Sequence, residues 1–245
     1  MYTTLSDSHG MMSDEETFEY FLDCDMSKYV YEQTHKKNPA RFPTYKVIQK
    51  MKAICSPPLD SIEKTATKIQ VRIQSLMQHT VERIVKSLKH EINQYMDENN
   101  QDFVEMVLLS SWGMDGSTGY SQYHQSFPGT NQQDDSDVFS VTTTPIHLYL
   151  LSNRKHIFWY NLTPQSIRYC RPIMLEFVKE SKQVVIDCKN TIKRELSELV
   201  PVKIDLEQEK YVLVDFDFVM SKVDGIEDSK GSVLEEKTAY TEKAL

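Results

Sequence analysis

FVEMVLLSSWGMD, residues 103–115, decides how the rest of the chain is read. Its apolar residues crowd together without a helical period, so it predicts a buried strand that ends at Asp115. Toward the C-terminus a Gly/Ser/Tyr/Gln-rich stretch and an acidic loop, QQDDSD (132–137), come next. VFSVTTTPIHLYLL (138–151) and HIFWYNL (156–162) then read as a hairpin around the turn SNRK. Pro172 to Leu199 has a helical period carried by Met174, Phe177, Val178, Val185, Ile186, Ile192 and Leu196. VKIDL (202–206) and YVLVDFDFVM (211–220) complete the pattern as two strands around EQEK.

Toward the N-terminus the period is helical. Asp60 followed by Glu63 has the form of a capping box, and Ile69, Ile73, Leu76, Ile84, Leu88 and Ile92 recur at three-and-four spacing. These residues predict one long amphipathic helix over roughly 61–97, either continuous or broken once, ended by MDENNQD (96–102). Shorter helical signals lie between Thr17 and Lys52, interrupted by Pro39 and Pro43 and closed by Pro57-Pro58. The fold class is therefore α+β: helices first, then a mixed sheet with one long helix. The expected divisions are a loose N-terminus (1–16), a helical region (17–100), a sheet domain (101–225) and a polar tail (226–245).

The 245 residues suit one large domain or two small ones, and 40% apolar with 26% charged residues is ordinary globular composition. No apolar stretch approaches the length of a spanning helix, so no membrane partner is expected. The first residues have neither the basic region nor the apolar core of a signal peptide. Cys24, Cys55, Cys170 and Cys188 are scattered, which fits reduced thiols in an intracellular protein. The net charge of −8 is unevenly placed. Residues 1–27 hold seven acids and no Lys or Arg, 205–245 hold eleven acids against five bases, and 28–204 hold 23 bases against 18 acids. A mildly basic middle keeps nucleic acid open as a partner.

Asp115 is the foremost candidate residue: a carboxylate at a strand end can hold a cation in a cleft, as two-metal nucleases require, although Asp-Gly is also a common turn. GSTGYSQYHQSF (116–127) lacks the spacing and Lys of a phosphate-binding loop. Asp215 and Asp217 share one strand face, either as paired metal ligands or as a solvated sheet face. His124, His147 and His156 have no ligand-like spacing, so no zinc is assigned. The segment 28–52 holds Lys28, Lys36, Lys37, Arg41, Lys46, Lys50 and Lys52 against one acid, Glu32, with Tyr29, Tyr31, Phe42 and Tyr45 interleaved. It is either a phosphate-contacting surface or a solvated helix face.

The blocks DCDMSKYVYE…NPARFPTYKVIQKMKAIC (23–55), LMQHTVERIV (76–85), SSWGMDGSTGYSQYHQSF (110–127), TPIHLYLL (144–151) and TPQSIRYCRPIMLEFVKES (163–181) occur in one order. Together they resemble Transib-type transposases, relatives of the catalytic subunit of the V(D)J recombination-activating complex, over residues 17–225. The resemblance is carried most by W-G-x-D-G-x-x-G-x-S-x-Y (112–123) and R-x-C-R-P (168–172). It implies a helical dimerisation and DNA-binding region followed by a partial RNase H-like domain, in a nuclear protein acting on double-stranded DNA. It also implies that Asp115 is the first of three carboxylates that bind two Mg²⁺ (or Mn²⁺) ions. The seven cations of 28–52 become the expected DNA contacts. The family's zinc module and its last two acids have no counterpart here, His124 replaces a Lys, and Asp215, Asp217 and Asp224 lie too early to substitute. The expectation is a truncated DNA-binding protein, a homodimer or a partner of a full-length transposase chain, without strand cleavage on its own. The alternatives are an enzyme whose missing acids come from another chain or exon, and a decayed inactive fragment. The sheet is expected to leave an unpaired edge strand around 211–220.

Overall fold

A computed structural model describes residues 10–119, 135–166, 168–207 and 209–220. The chain divides into two units, Met1–Leu59 and Asp60–Leu245.

The described residues of the first unit hold three helices: α1 (Asp14–Asp23), α2 (Lys28–Lys37) and α3 (Tyr45–Cys55). Ser13 and Glu16 cap α1 reciprocally: Ser13 Oγ accepts from the Glu16 amide (3.1 Å), and the Glu16 carboxylate accepts from the Ser13 amide (2.8 Å). Ser27 caps α2 by accepting from the Val30 amide. Phe21, Tyr31 and Ile48, one from each helix, form the core, with Phe18, Met26 and Tyr45 against it. Tyr31 is fully buried and its hydroxyl donates to the Pro43 carbonyl (2.9 Å), while His35 Nδ1 donates to the Phe42 carbonyl (2.7 Å). Those two bonds tie the turn between α2 and α3 to α2. Burial raises the Tyr31 pKa, which keeps the phenol protonated as the donor it has to be.

Among the described residues the second unit is an eight-stranded mixed sheet with three α-helices. Its strands are β1 (Ile62–Lys64), β2 (Lys68–Val71), β3 (Phe103–Thr118), β4 (Asp137–Leu150), β5 (Asn153–Tyr160), β6 (Arg171–Glu176), β7 (Val202–Asp205) and β8 (Tyr211–Met220). The helices are α4 (Ile73–Ser87), α5 (Lys89–Glu98) and α6 (Lys182–Ser197). Strand order is β1-β2-β6-β4-β3-β8-β7, with β5 also on β4. Of the pairings, β3–β8 is parallel and the others are antiparallel. One sheet face supplies Met106, Leu108, Trp112, Phe139, Val141, Leu148, Val212 and Val214 to a single core. Leu76 and Met77 of α4, Ile92 and Met96 of α5 and Val185 and Ile192 of α6 complete it. The α+β class holds.

Four expectations change. The helix over 61–97 is a 3₁₀ turn (Leu59–Ser61), the hairpin β1–β2, and then α4 and α5. Thr65 Oγ1 accepts from the amides of Thr67 and Lys68 and closes the hairpin turn. Asp60 caps no helix; the Arg72 guanidinium donates to its carbonyl instead (2.9 Å). The helix expected from Pro172 begins only at Lys182, because residues 171–176 form β6 between β2 and β4. Pro172 is tolerated in that strand because it lies where the β4–β6 register shifts, between Val141 and Thr142. Strand β3 continues past Asp115 to Thr118, so that carboxylate does not end it. Strand β8 is no free edge over its first half: Tyr211–Val214 pair with β7. Among the described residues the outer side of Asp215–Met220 has no strand beside it. The helices α4 and α5 share the core of the sheet, while α1–α3 form a core of their own.

Two stability outcomes follow from buried polar atoms. Tyr31→Phe leaves the buried Pro43 carbonyl without its donor and should lower stability by about 1 kcal/mol in denaturant titration. Ser110, fully buried in β3 beside a register shift, has a hydroxyl with no partner among the described residues. Ser110→Ala should raise stability by about 1 kcal/mol, and a loss of stability would show that the hydroxyl is satisfied.

Candidate nucleic-acid interface

Charge in the first unit is sorted by helix. Asp14, Glu15, Glu16, Glu19 and Asp23 lie on α1, and the cations lie on α2, α3 and the turn between them. Acids open α1 and His35, Lys36 and Lys37 close α2, the sign that each of those two ends of a helix dipole favours, whereas α1 closes on Asp23 and α2 opens on Lys28.

The seven expected DNA contacts are not equivalent. Lys28 lies 3.8 Å from Glu32 and over the Tyr45 ring (5.6 Å). Lys50 bonds Asp14 at 2.6 Å, and that bond holds its ammonium pKa above the usual value. Lys52 sits over the Phe21 ring (5.0 Å). Arg41 is half-buried, and its carbonyl accepts from the Met12 amide. Lys36, Lys37 and Lys46 are exposed and make no ion pair among the described residues. On α3, Lys46 lies on the side opposite the buried Ile48, together with Gln49, Lys50 and Ala53, all exposed. That helix therefore presents a polar, basic outer face with one small residue.

Asp115 is exposed on β3, with Trp112 and Met114 buried on the opposite face and the Ser140 hydroxyl donating to its carbonyl (3.1 Å). Strand alternation puts its carboxylate on the face away from α4, α5 and α6. Gly116 takes the helix-covered face, where an added Cβ would fall 2.4 Å from Glu180 Oε2. Glu180 thus occupies the space over Gly116, and the sheet stands between it and the Asp115 carboxylate.

Asp215 and Asp217 are also distant. In the parallel ladder they sit beside Val107 and Leu109, eight and six residues before Asp115, or about 26 and 20 Å along the strand. Asp224 and His124 lie outside the described residues, as do most of 116–127. Among the described residues no three His, Cys, Asp or Glu side chains converge on one point. The described acids therefore do not form a two-metal site around Asp115.

The remaining candidates have structural surroundings. His156 packs between Tyr95 (4.9 Å) and Phe158 (4.6 Å). His79, which sequence reasoning passed over, meets Arg171 of the R-x-C-R-P block at 2.9 Å. A guanidinium can only donate, so Nδ1 accepts. All four cysteines are free, and burial pushes the Cys188 thiol up to about 11. No described helix is long and apolar enough to cross a membrane. No family model matches the chain, and no curated protein matches it.

His147 lies on β4 beside Tyr149 (5.5 Å), and burial lowers its pKa. Its neutral form is the one the fold accepts, whereas in the unfolded chain it protonates near its ordinary value. This contribution to stability is complete above about pH 6.5 and declines as the pH falls toward the lowered folded value. Between pH 7.5 and 5.5 the unfolding midpoint of the natural chain should fall further than that of His147→Gln; equal falls would count against it.

Proposed function

We propose that this chain is a transposon-derived DNA-binding protein, similar to the N-terminal half of a Transib transposase core, whose α2–α3 region contacts duplex phosphates. The carrying observation is the charge sorting of the first unit, which leaves Lys36, Lys37 and Lys46 exposed and unpaired among the described residues while the acids collect on α1. Each phosphate neutralised by such a cation releases counterions and gives binding a salt dependence. A nuclear location belongs to the same reading.

The second unit supports an RNase H-like ancestry through its strand order. With β5 and β7 as additions, β3, β4 and β6 form three antiparallel neighbours and β8, which comes after α6 and β7 in the chain, lies parallel to β3, an order similar to the start of an RNase H-like sheet. Asp115 is then the ancestral first metal ligand. In the family the ions supply water activation and leaving-group stabilisation; here the described residues bring one carboxylate to that place, and strand cleavage by this chain alone is not expected.

The test is duplex retardation across a salt series. Binding should weaken with a log–log slope of about −3 or steeper if three or more phosphates are neutralised. Charge reversal at Lys36, Lys37 and Lys46 together should reduce affinity by more than about tenfold and flatten the slope, while Lys50→Glu, already held by Asp14, should matter less. Absent or salt-independent binding ends the proposal. A parallel nicking assay with Mg²⁺ or Mn²⁺, with Asp115→Ala as control, should show no cleavage. Asp115-dependent nicks would instead establish an enzyme.

A further inference from the structure

The alternation D-F-D-F at 215–218 is not used by the DNA-binding reading, and its hydrogen bonds give it a different role. Successive residues of a strand present their backbone N–H and C=O to opposite sides. The Tyr211 amide donates to the Asp102 carbonyl (3.1 Å), so the odd-numbered residues of β8 face β3. The Lys210 carbonyl accepts from Leu206 (2.7 Å), and Val212 and Val214 sit opposite Ile204 and Val202, so the even-numbered residues face β7. Strand β7 ends its pairing at Val214. The amides of Phe216, Phe218 and Met220 therefore point to the outer edge, where the described residues place no strand.

Two of those three amides are already occupied. Phe216 N–H donates to Asp215 Oδ1 (2.8 Å), and Phe218 N–H donates to Asp217 Oδ1 (2.9 Å). Each carboxylate bends back over its own strand and takes the donor that an incoming strand would need. The need for such cover is plain from the sequence: YVLVDFDFVM is β-branched and aromatic, without Pro or Gly, and would pair readily with another strand if its edge were open.

We propose that Asp215 and Asp217 close the outer edge of β8, and that the partner they exclude is the same edge of a second copy of this chain. The two edges are identical, so an antiparallel, two-fold pairing through the freed amides is available to the uncapped strand. The carboxylates block it by filling the donors.

The test compares double variants of the full chain by sedimentation velocity over a wide concentration range. Asp215→Ala/Asp217→Ala should associate with rising concentration toward twice the monomer mass. Asp215→Asn/Asp217→Asn keeps the Oδ1 acceptor and should sediment as the natural chain does. Glu91→Ala/Glu98→Ala removes the same charge from the surface of α5 and should also leave the mass unchanged. The proposal is overturned if the Ala pair keeps the natural mass at every concentration, if the Asn pair associates as much as the Ala pair, or if the α5 pair does. If the Ala pair fails to fold, amide exchange in the natural chain decides. Phe216 and Phe218 should exchange more slowly than Met220, whose amide faces the same edge without a carboxylate before it, and equal rates overturn the proposal.

Discussion

Strand β3 is paired on both sides from Met106 to Trp112, and the second unit is arranged around that fact. Phe103–Trp112 bond to β8 in parallel, and Met106–Thr118 bond to β4 antiparallel. A strand flanked in this way has no freedom of register, because a one-residue slip would turn Met106, Leu108, Trp112 and Met114 out of the core. The helices can pack where they do only because that apolar face is fixed. The register shift between Leu109 and Ser110 is the one irregularity in the β3–β4 ladder, and it lies beside the unpartnered Ser110 hydroxyl.

That strand was legible in the sequence because its apolar density exceeds anything a surface helix carries. The later strands β4, β5, β7 and β8 were legible for the same reason. The elements that misled are those in which two periods coincide. Ile69 and Ile73 satisfy a helical spacing, yet Ile69 and Val71 alternate with polar Lys68 and Gln70 as a strand requires, and the turn made by Thr65 settles the choice. At 171–176 Met174 fits the helical period of the residues after it, and only the register shift in a strand some thirty residues earlier explains why Pro172 sits in a sheet. Pairing partners distant in sequence leave no local mark.

The candidate site divides along similar lines. The cluster of cations was visible as composition, but which of them are committed was not. Lys50 is claimed by an acid thirty-six residues earlier and Lys52 by an aromatic ring on another helix, neither of which spacing could reveal. Asp115 was visible as a residue type, whereas the sheet face it occupies depends on how far β3 continues past it. For Asp215 and Asp217 the alternation was read correctly as one strand face, but the use of their carboxylates is a backbone matter, set by where β7 stops.

The parallel ladder also governs the order in which the molecule can be assembled. It joins Phe103 to Tyr211, residues separated by 108 positions, whereas β3 and β4 begin their pairing nineteen apart, at Thr118 and Asp137. Closing so large a loop is entropically costly and slow, so the hairpin-like contacts of β3 with β4 form well before β8 docks. During synthesis the β8 flank of β3 remains exposed until almost the entire described chain has been made. The strand that eventually covers it, β8, is therefore a late-arriving piece on which the completion of the core waits.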